Sequence, residues 1–336
     1  MILIAPDKFK GTFSAEEIAR VISEKVAVKF PREERKLFPM ADGGEGTAGI
    51  VALRRNLNPV VCDGIGPSGE DCVWKYYAGE RTAAIDSSAV IGRAAIDGNR
   101  TYSPLDASSY PLGRLVSQLI DGGMKDIFIG IGGTMTTDGG CGFLQGLGFR
   151  FYDREGRLCT RMTPRRLSGI TRIEPATLPA DIRITGLVDV DVPLVAAPPA
   201  LSALSFALQK GVRESELPML AEAFSLWEKV ASPLSRTWHF HGAGGGLGFA
   251  LSLLDNTRLL AGAETLLGNQ IETLHPDRIY TGEGCFDRQS FGGKVTGTII
   301  RKAMALGIPV TIVCGRCTLS HTEIPEGAEV ILLRDL

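Results

Sequence analysis

The chain has 336 residues, a length that favours two domains, and its 44% hydrophobic and 22% charged residues are typical of a globular protein. Its 36 basic and 38 acidic side chains nearly cancel, which argues against the strongly basic surface that nucleic-acid binding requires. No apolar run approaches the ~18–20 residues of a membrane span, and residues 1–5 are too short for a signal peptide, so we expect a cytoplasmic protein.

Two strand–loop–helix units are predicted in the amino-terminal part. In the first, residues 2–5 form an apolar strand and residues 14–30 a helix, for which Ser14 and Glu17 provide a capping-box pattern. In the second, residues 36–40 form a strand, and a helix over residues 48–55 follows the turn ADGGEGT. The carboxyl-terminal part continues this alternation, with strands predicted at residues 278–281, 309–313 and 329–333 and a helix at 295–306.

The middle of the chain has its own elements, with strands predicted at residues 82–85, 126–131 and 183–188 and helices at 112–121 and 217–230. The whole pattern predicts an α/β protein in which residues 1–63 and 277–336 build one domain around a parallel, doubly wound sheet. Residues 64–276 are then an inserted second α/β domain, and we expect the substrate in the cleft at the junction.

Glycine-rich loops follow several of these predicted strands. The segment IGIGGTMTTDGGCG at residues 129–142 combines glycines, threonines and Asp138, and favours a phosphate cradle over a simple tight turn. The segment HGAGGGLGFA at residues 241–250 opens a helix whose free N–H groups suit phosphate, while His241 itself is interpreted as a loop or capping residue. Neither segment matches a P-loop or a dinucleotide fingerprint, because Val295 follows Gly293-Lys294 and Met135 stands where GxGxxG needs glycine.

The seven scattered cysteines indicate reduced thiols, and the CxxC of Cys314 and Cys317 is interpreted as structural because no second ligand pair accompanies it. More informative is a set of acidic loop residues beside the lysines Lys8, Lys10 and Lys294. Oxygen ligands after strand ends suit Mg²⁺, and the combination indicates phosphoryl transfer, although each single acid is equally suited to a capping or turn role. The acidic residues are Asp7, Asp42, Glu45, Asp138, Asp189, Asp191, Glu283 and Asp287.

Seven segments, in order along the chain, resemble the bacterial type 1 glycerate kinases. They are APDKFKGTFSAEE, PMADGGEGT, IGIGGTMTTDGGCGFLQGLGFRF, VDVDVPL, the QKG at residues 209–211, GAGGGLG and YTGEGCFDRQSFGGKV. The resemblance implies phosphorylation of the small molecule D-glycerate by ATP with Mg²⁺, on the 2-hydroxyl in preference to the 3-hydroxyl. It also implies a flavodoxin-like domain built from both chain ends, with an inserted α/β domain.

Residue roles are carried over from the resemblance as hypotheses. Asp189 is expected to be the base near the glycerate hydroxyl, Lys10 and Lys294 to neutralise phosphate or carboxylate charge, and Asp42 and Glu283 to hold Mg²⁺. The residues matched to substrate or phosphate binding are Asp7, Lys8, Gly43, Gly44, Gly132, Gly133, Thr134, Asp138, Asp191, Gly282, Asp287 and Gln289.

Two departures from the family pattern keep alternatives open. The residues at 197–201, Ala-Pro-Pro-Ala-Leu, lack the two glycines that the family has there, and the chain stops at Leu336 where family members run on. A sheet left uncovered at that end is compatible with a homo-oligomer. The alternatives to a glycerate kinase are therefore a kinase of another small hydroxy acid, or a catalytically silent relative that binds nucleotide or metabolite.

Overall fold

A computed structural model describes residues 1–96, 102–196, 200–236 and 239–336. The strands are β1 Ile2–Ile4, β2 Arg35–Leu37, β3 Asn58–Ile65, β4 Asp71–Gly79, β5 Thr82–Asp86, β6 Asp126–Gly130, β7 Arg150–Tyr152, β8 Arg172–Glu174, β9 Arg183–Val188, β10 Thr257–Ala261, β11 Arg278–Phe286, β12 Val310–Cys317 and β13 Ala328–Leu332. The α-helices are α1 Ala15–Lys29, α2 Thr47–Arg55, α3 Ser88–Ile91, α4 Tyr110–Asp121, α5 Cys141–Gly146, α6 Pro164–Leu167, α7 Leu217–Ala231, α8 Ala243–Ser252, α9 Gly262–Leu267, α10 Gln270–Leu274 and α11 Val295–Ala305. Within the described ranges, no helix has the length and apolar character needed to cross a bilayer.

Contacts divide the chain into two units, unit 1 with Met1–Asp42 and Ala261–Leu336, and unit 2 with Gly43–Leu260. These limits differ from the domain boundaries expected from the sequence, which put residues 1–63 and 277–336 in one domain and 64–276 in the other. Residues 43–63 fall in unit 2 because α2 packs against β4, β5 and β6, and because β3 pairs with β4 over its whole length. Residues 262–274 fall in unit 1 because α9 and α10 bury apolar side chains in its core.

Unit 1 contains a five-stranded sheet in the order β2-β1-β11-β12-β13, and every pair of neighbours is parallel. Numbered within the unit, this order is 2-1-3-4-5, which is the flavodoxin-like arrangement. The expected α/β fold with a parallel, flavodoxin-like sheet built from both chain ends is therefore confirmed. Its strand order reverses between β1 and β11, where such sheets bind ligands beyond the carboxyl ends of the strands.

The core of unit 1 follows from the alternation of side chains along β1. Ile2 and Ile4 point to one face and pack with Ile18 and Ile22 of α1, whereas Leu3 points to the other face and packs in the layer of α9, α10 and α11. Helix α1 begins where the capping box predicts, since Ser14 Oγ accepts the Glu17 N–H at 3.2 Å and Glu17 Oε2 accepts the Ser14 N–H at 2.7 Å.

Unit 2 contains a six-stranded sheet in the order β10-β9-β6-β5-β4-β3 and a separate antiparallel ribbon of β7 and β8. Strands β5, β6 and β9 are parallel, while β3, β4 and β5 form an antiparallel meander at one side. The three parallel strands were predicted from their apolar runs. Strands β3 and β4 were missed because their apolar runs are interrupted: β3 contains Pro59 and Gly64, which weaken a strand prediction, and β4 contains the charged Asp71 and Lys75.

Candidate active site

The predicted site residues of unit 1 lie where β1, β2 and β11 end. Asp7 follows β1 and donates its backbone N–H to the Gly282 carbonyl oxygen on β11 at 2.9 Å. Asp42 follows β2, on a segment held to the loop after β1 by the Met40 N–H, which donates to the Pro6 carbonyl oxygen at 3.0 Å. Unit 1 therefore brings the acidic loop residues to the reversal point of its sheet.

Asp7, Lys8 and Asp42 form a compact charged group in which both carboxyl groups are buried. Lys8 Nζ lies 3.8 Å from Asp7 Oδ1 and 3.9 Å from Asp42 Oδ1, and the Lys8 backbone N–H donates to Asp7 Oδ1 at 2.7 Å. Burial raises the pKa of Asp7 to about 7; Lys8 opposes this shift, and the carboxylates of Asp42 and Glu283 add to it. Near neutral pH, Asp7 is thus present in both its protonated and its ionised form.

Glu283 is a buried carboxylate on β11, only 8% exposed, and its Oε1 lacks a hydrogen-bond partner among the described residues. Burial raises the pKa of Glu283, and the hydroxyl groups of Ser290 and Thr296, followed by the charge of Lys294, oppose the shift. A buried oxygen without a donor suits a ligand or cation, and Mg²⁺ is bound by one or two carboxylates together with water and phosphate oxygens. The donor chemistry of Asp42 and Glu283 fits this requirement, whereas no group of three or more His, Cys, Asp or Glu residues in the described segments forms a ready-made metal site.

Other predicted residues of unit 1 have clear local roles. Asp287 Oδ1 accepts the Gln289 N–H at 2.8 Å and so caps the short 3₁₀ turn over Arg288–Phe291. Gly282 sits in the sheet so close to β12 that a Cβ would lie 1.9 Å from the Val313 carbonyl oxygen, and this packing accounts for the glycine. Lys294 occupies the N-cap position of α11, and Lys10 is exposed. Their roles in binding stay predictions.

Two glycine turns meet in unit 2 without side chains between them. The Gly132 N–H donates to the Gly43 carbonyl oxygen at 3.1 Å, and a Cβ on Gly132 would lie 2.7 Å from the Gly44 Cα. A Cβ on Gly43, which has a φ of 110°, would lie 2.7 Å from backbone atoms of Val188. This surface, made by residues 43–44 and 132–133, is called the glycine platform below.

Asp189 is the acid that lies beside the glycine platform. It directly follows β9, and its Oδ2 would be 3.6 Å from a Cβ on Gly132. The amides of the platform are not equivalent, because the Gly43 N–H donates to Thr47 Oγ1 at 3.1 Å and the Gly132 N–H to Gly43. The Gly133 N–H has no acceptor in the described part of the chain. Of the amides of Gly43, Gly132 and Gly133, it is the one left to meet an anion.

Asp86 holds the glycine platform in place and was missed in the sequence analysis. Its Oδ2 accepts the Gly46 N–H and its Oδ1 accepts the Ala48 N–H, both at 2.8 Å, so its carboxylate receives amides from the first turn of α2. The signal that identifies it is an acidic residue directly after the predicted strand at residues 82–85, at the same edge as the other loop acids.

Asp138 was expected to contact substrate or phosphate, but its surroundings assign it a structural role. The side chain is buried, and its carboxylate accepts the Ser109 N–H at 2.7 Å, the Ser109 hydroxyl at 2.8 Å, the Gly140 N–H at 3.1 Å and the Gly142 N–H at 3.2 Å. Burial raises the pKa of Asp138, and these donors oppose the shift. Its carboxylate therefore joins the segment before α4 to the start of α5.

Asp191 and His241 also make contacts within unit 2. Asp191 Oδ1 accepts the Phe240 N–H at 2.7 Å, and Asp191 Oδ2 lies 3.1 Å from His239 Nδ1. His241 is buried with its ring 4.9 Å from the ring of Phe249, in agreement with its interpretation as a loop residue. The altered residues 197–199, which raised the question of substrate preference, lie outside the described residues.

The second glycine segment does not form the helix start expected to bind phosphate. Gly244, Gly245 and Gly246 have φ values of 63°, 73° and 95°, so the first part of α8 is not a regular helix. A Cβ on Gly245 would lie 2.1 Å from the Thr136 carbonyl oxygen, and the Gly245 carbonyl oxygen accepts the Gly139 N–H at 3.0 Å. These glycines are required for packing against residues 136–139, which replaces the phosphate-binding interpretation.

Replacing Asp138 by Asn is expected to destabilise the protein, because an amide group would face buried donors that now share a carboxylate. We expect the free energy of unfolding to fall by about 2–4 kcal/mol. Asp189→Asn is the matched control and should change it by less than about 1 kcal/mol, since Asp189 is only partly buried. Urea unfolding of the two variants checks this, and equal stability of Asp138→Asn and the wild type would contradict the structural role.

Asp7→Asn is expected to stabilise the protein at neutral pH and not at acidic pH. The unfolded-state carboxyl group ionises near its ordinary pKa of 3.8, whereas the folded state keeps its proton until about pH 7. Wild-type stability is therefore lost between these values, and the variant should exceed it by about 2–4 kcal/mol at pH 8 and by nothing near pH 4. Urea unfolding across this pH range measures the sign of the stability difference, and substitution of the exposed Asp71 by Asn is the control. A gain in stability at acidic pH alone would show that burial of the charge is not the cause.

Comparison with known proteins gives a consistent result over nearly the whole chain. The family model described as "Glycerate kinase family" matches residues 2–332. The chain is 30% identical to the glycerate kinase of Neisseria meningitidis over 96% of this chain and 88% of that protein. It is 31% identical to the glycerate 2-kinase of Escherichia coli over 94% of this chain and 85% of that protein.

Among solved structures, this protein is similar to the crystal structure of a candidate glycerate kinase 2 from Salmonella typhimurium LT2. The TM-score is 0.80 at 27% sequence identity, covering 98% of this chain and 90% of that one. Together with the family match and the acidic and glycine loops described above, this similarity leads to one conclusion. The chain belongs to the glycerate kinase family.

Proposed function

We propose that this protein transfers the γ-phosphoryl group of ATP to a hydroxyl group of D-glycerate, with 2-phosphoglycerate formed in preference to 3-phosphoglycerate. The observation that carries the proposal is Asp189 beside the glycine platform, in a chain of the glycerate kinase family. The relative named glycerate 2-kinase supports the choice of product.

In the proposed reaction, the glycerate oxygen forms a bond to the γ-phosphorus while the bond from that phosphorus to the bridging oxygen of ATP breaks. The hydroxyl proton passes to a base, and the products are phosphoglycerate and ADP. Such reactions need little covalent help from the protein, so most of the rate comes from positioning the reactants and balancing their charge.

Asp189 is proposed as the base. A carboxylate on the residue after a strand end, next to a surface without side chains, can accept a proton from a small alcohol that lies on that surface. The Gly133 N–H and the Thr134 hydroxyl are proposed to hold an anionic group of a substrate there, whereas Gly43, Gly44 and Gly132 give the platform its shape.

The acidic group of unit 1 is proposed to serve the charged end of ATP. Asp42 and Glu283 would hold Mg²⁺, which when bound supplies neutralisation of phosphate charge. Lys8 already lies between Asp7 and Asp42, and Lys10 and Lys294 are proposed to neutralise phosphate or carboxylate charge. The predicted binding roles of Asp191, Gly282, Asp287 and Gln289 are secondary to the local contacts that these residues make.

Further properties stay predictions. The near balance of 36 basic and 38 acidic side chains supports the expectation that nucleic acid is not a partner. A cytoplasmic location and assembly with a second copy of the chain are kept as expectations from the sequence.

The decisive experiment is to incubate the pure protein with ATP, Mg²⁺ and each of several small hydroxy acids, and to follow ADP release. We expect turnover with D-glycerate, and phosphorus NMR of the product should show 2-phosphoglycerate. Turnover only with another acid would support the second hypothesis of a different hydroxy acid kinase, and turnover with none would support the catalytically silent relative.

Asp189→Asn is expected to lower kcat by about 10²–10⁴-fold because the base is lost, while ATP affinity measured by calorimetry stays within about twofold. The exposed Asp63→Asn, on β3 of the same unit, is the matched control and should retain wild-type kcat. A near-normal kcat for Asp189→Asn would exclude this residue as the base.

A further inference from the structure

Lys210 is a buried lysine of unit 2, on a segment distant in sequence from the glycine platform. It ends a short 3₁₀ turn over Leu208–Lys210, is only 6% exposed, and lies beneath the segment at residues 134–136. Its Nζ donates to Thr134 Oγ1 at 2.9 Å and to the Thr136 carbonyl oxygen at 2.8 Å. One ammonium group thus fixes two positions of the loop that continues from the glycine platform.

The surroundings of Lys210 are arranged to hold its position. The Tyr102 hydroxyl donates to the Met135 carbonyl oxygen at 2.6 Å and lies 3.2 Å from the Lys210 carbonyl oxygen, so it joins the same two segments. A Cβ on Gly245 would lie 2.8 Å from Lys210 Nζ, which explains why α8 approaches this group with a glycine.

The contact between Lys210 and Thr134 determines which way the Thr134 hydroxyl can donate. An ammonium group has three donors and no lone pair, so the single hydroxyl proton of Thr134 cannot point towards Lys210. The Thr134 side chain is 4% exposed, and no acceptor for its proton lies within hydrogen-bond distance in the described part of the protein. A buried hydroxyl donor is therefore left over.

A second donor without an acceptor stands next to it. The Gly133 N–H belongs to the glycine platform and likewise has no partner among the described residues. Two such donors on consecutive residues suit an oxyanion, a carboxylate or a phosphate, because each of its oxygens accepts more than one hydrogen bond.

We propose that Lys210 is a positioning residue, which acts through Thr134 by forcing its hydroxyl group to donate to an anionic group of a substrate bound at Gly133. This inference rests on the proposed function and adds to it the residue that orients the ligand-binding hydroxyl. Lys210 itself need not touch the substrate.

The charge of Lys210 has a pH dependence that makes the inference testable. Burial lowers the pKa of Lys210 to about 8, and Asp138 is the charged neighbour that opposes this shift. Above this pH the group becomes a neutral amine, which has a lone pair and can accept the Thr134 proton. The hydroxyl then turns away from the ligand, so binding should weaken as the pH rises through about 8.

The test compares ligand binding by Thr134→Val, Thr134→Ser and Lys210→Met, with calorimetric titration of D-glycerate and of ATP in separate arms. We expect Thr134→Val to weaken the binding of one of the two ligands by about tenfold or more, and Thr134→Ser to retain wild-type affinity. If only the affinity for D-glycerate falls, the carboxylate of D-glycerate binds to the Gly133 N–H and the Thr134 hydroxyl. If only the affinity for ATP falls, a phosphate group of ATP binds to these two donors. The exposed Lys229→Met on α7 controls for removal of a lysine charge.

Lys210→Met should weaken the binding of the same ligand when Thr134 is present. In the Thr134→Val protein it should cause little further loss of affinity, because both substitutions remove the same hydrogen bond to the ligand. The fall in affinity above about pH 8 should be absent from both Lys210→Met and Thr134→Val. Additive losses, or a pH profile of Thr134→Val that keeps the fall, would overturn the inference and leave Lys210 as a purely structural group.

If Lys210→Met fails to fold, the pair Thr134→Val and Thr134→Ser decides the question with the wild-type pH profile. Equal affinity of both Thr134 variants for both ligands overturns the inference while the proposed function stands. A wild-type protein that binds neither D-glycerate nor ATP overturns the proposed function, and the inference with it.

Discussion

The contact between Gly43 and Gly132 is the constraint on which the organisation of unit 2 depends. A Cβ on either residue would lie 2.7 Å from a backbone atom of another strand end or loop, closer than real Cβ atoms approach. Two loops can therefore meet as bare backbone, joined by the hydrogen bond from the Gly132 N–H to the Gly43 carbonyl oxygen. That meeting fixes the flat surface beside Asp189, and Asp86 and Lys210 hold the segments on either side of it.

The surroundings of the buried carboxyl groups differ between the two units. Asp138 receives four hydrogen bonds, so the cost of removing its charge from water is offset by local donors. Asp7 shares one lysine with Asp42, and Glu283 Oε1 has no donor in the described part of unit 1. Stability alone does not explain the second arrangement. Buried carboxyl groups with raised pKa values, clustered at the reversal point of a parallel sheet, are typical of a site that binds a cation or a charged ligand.

Much of the fold could be predicted from the sequence, because buried parallel strands are short apolar runs. The strands near residues 2–5, 183–188 and 309–313 are found close to their predicted positions. Strands β3 and β4 were not predicted because Pro59, Gly64 and charged residues interrupt their apolar runs. The first boundary expected from the sequence therefore follows residue 63, whereas the first segment of unit 1 ends at Asp42. Asp189 and Gly132, both named from the sequence, lie side by side. The supporting contacts of Asp86 and Lys210 were not predicted, since a supporting contact depends on neighbours that are distant in sequence. Gly244–Gly246 were misinterpreted for the same reason: their close packing partners are visible only in three dimensions.

The central position of β1 in unit 1 has a consequence for synthesis of the chain. One neighbour of this strand, β2, is made almost at once, but the other, β11, begins at Arg278, after all of unit 2 has been translated. During that interval the apolar strand β1 has one unpaired edge. The continuous segment Gly43–Leu260, by contrast, already contains both partners of each of its own strand pairs. The order in which the ribosome releases the chain thus favours early folding of the middle segment, and unit 1 can close only when the two ends of the polypeptide meet.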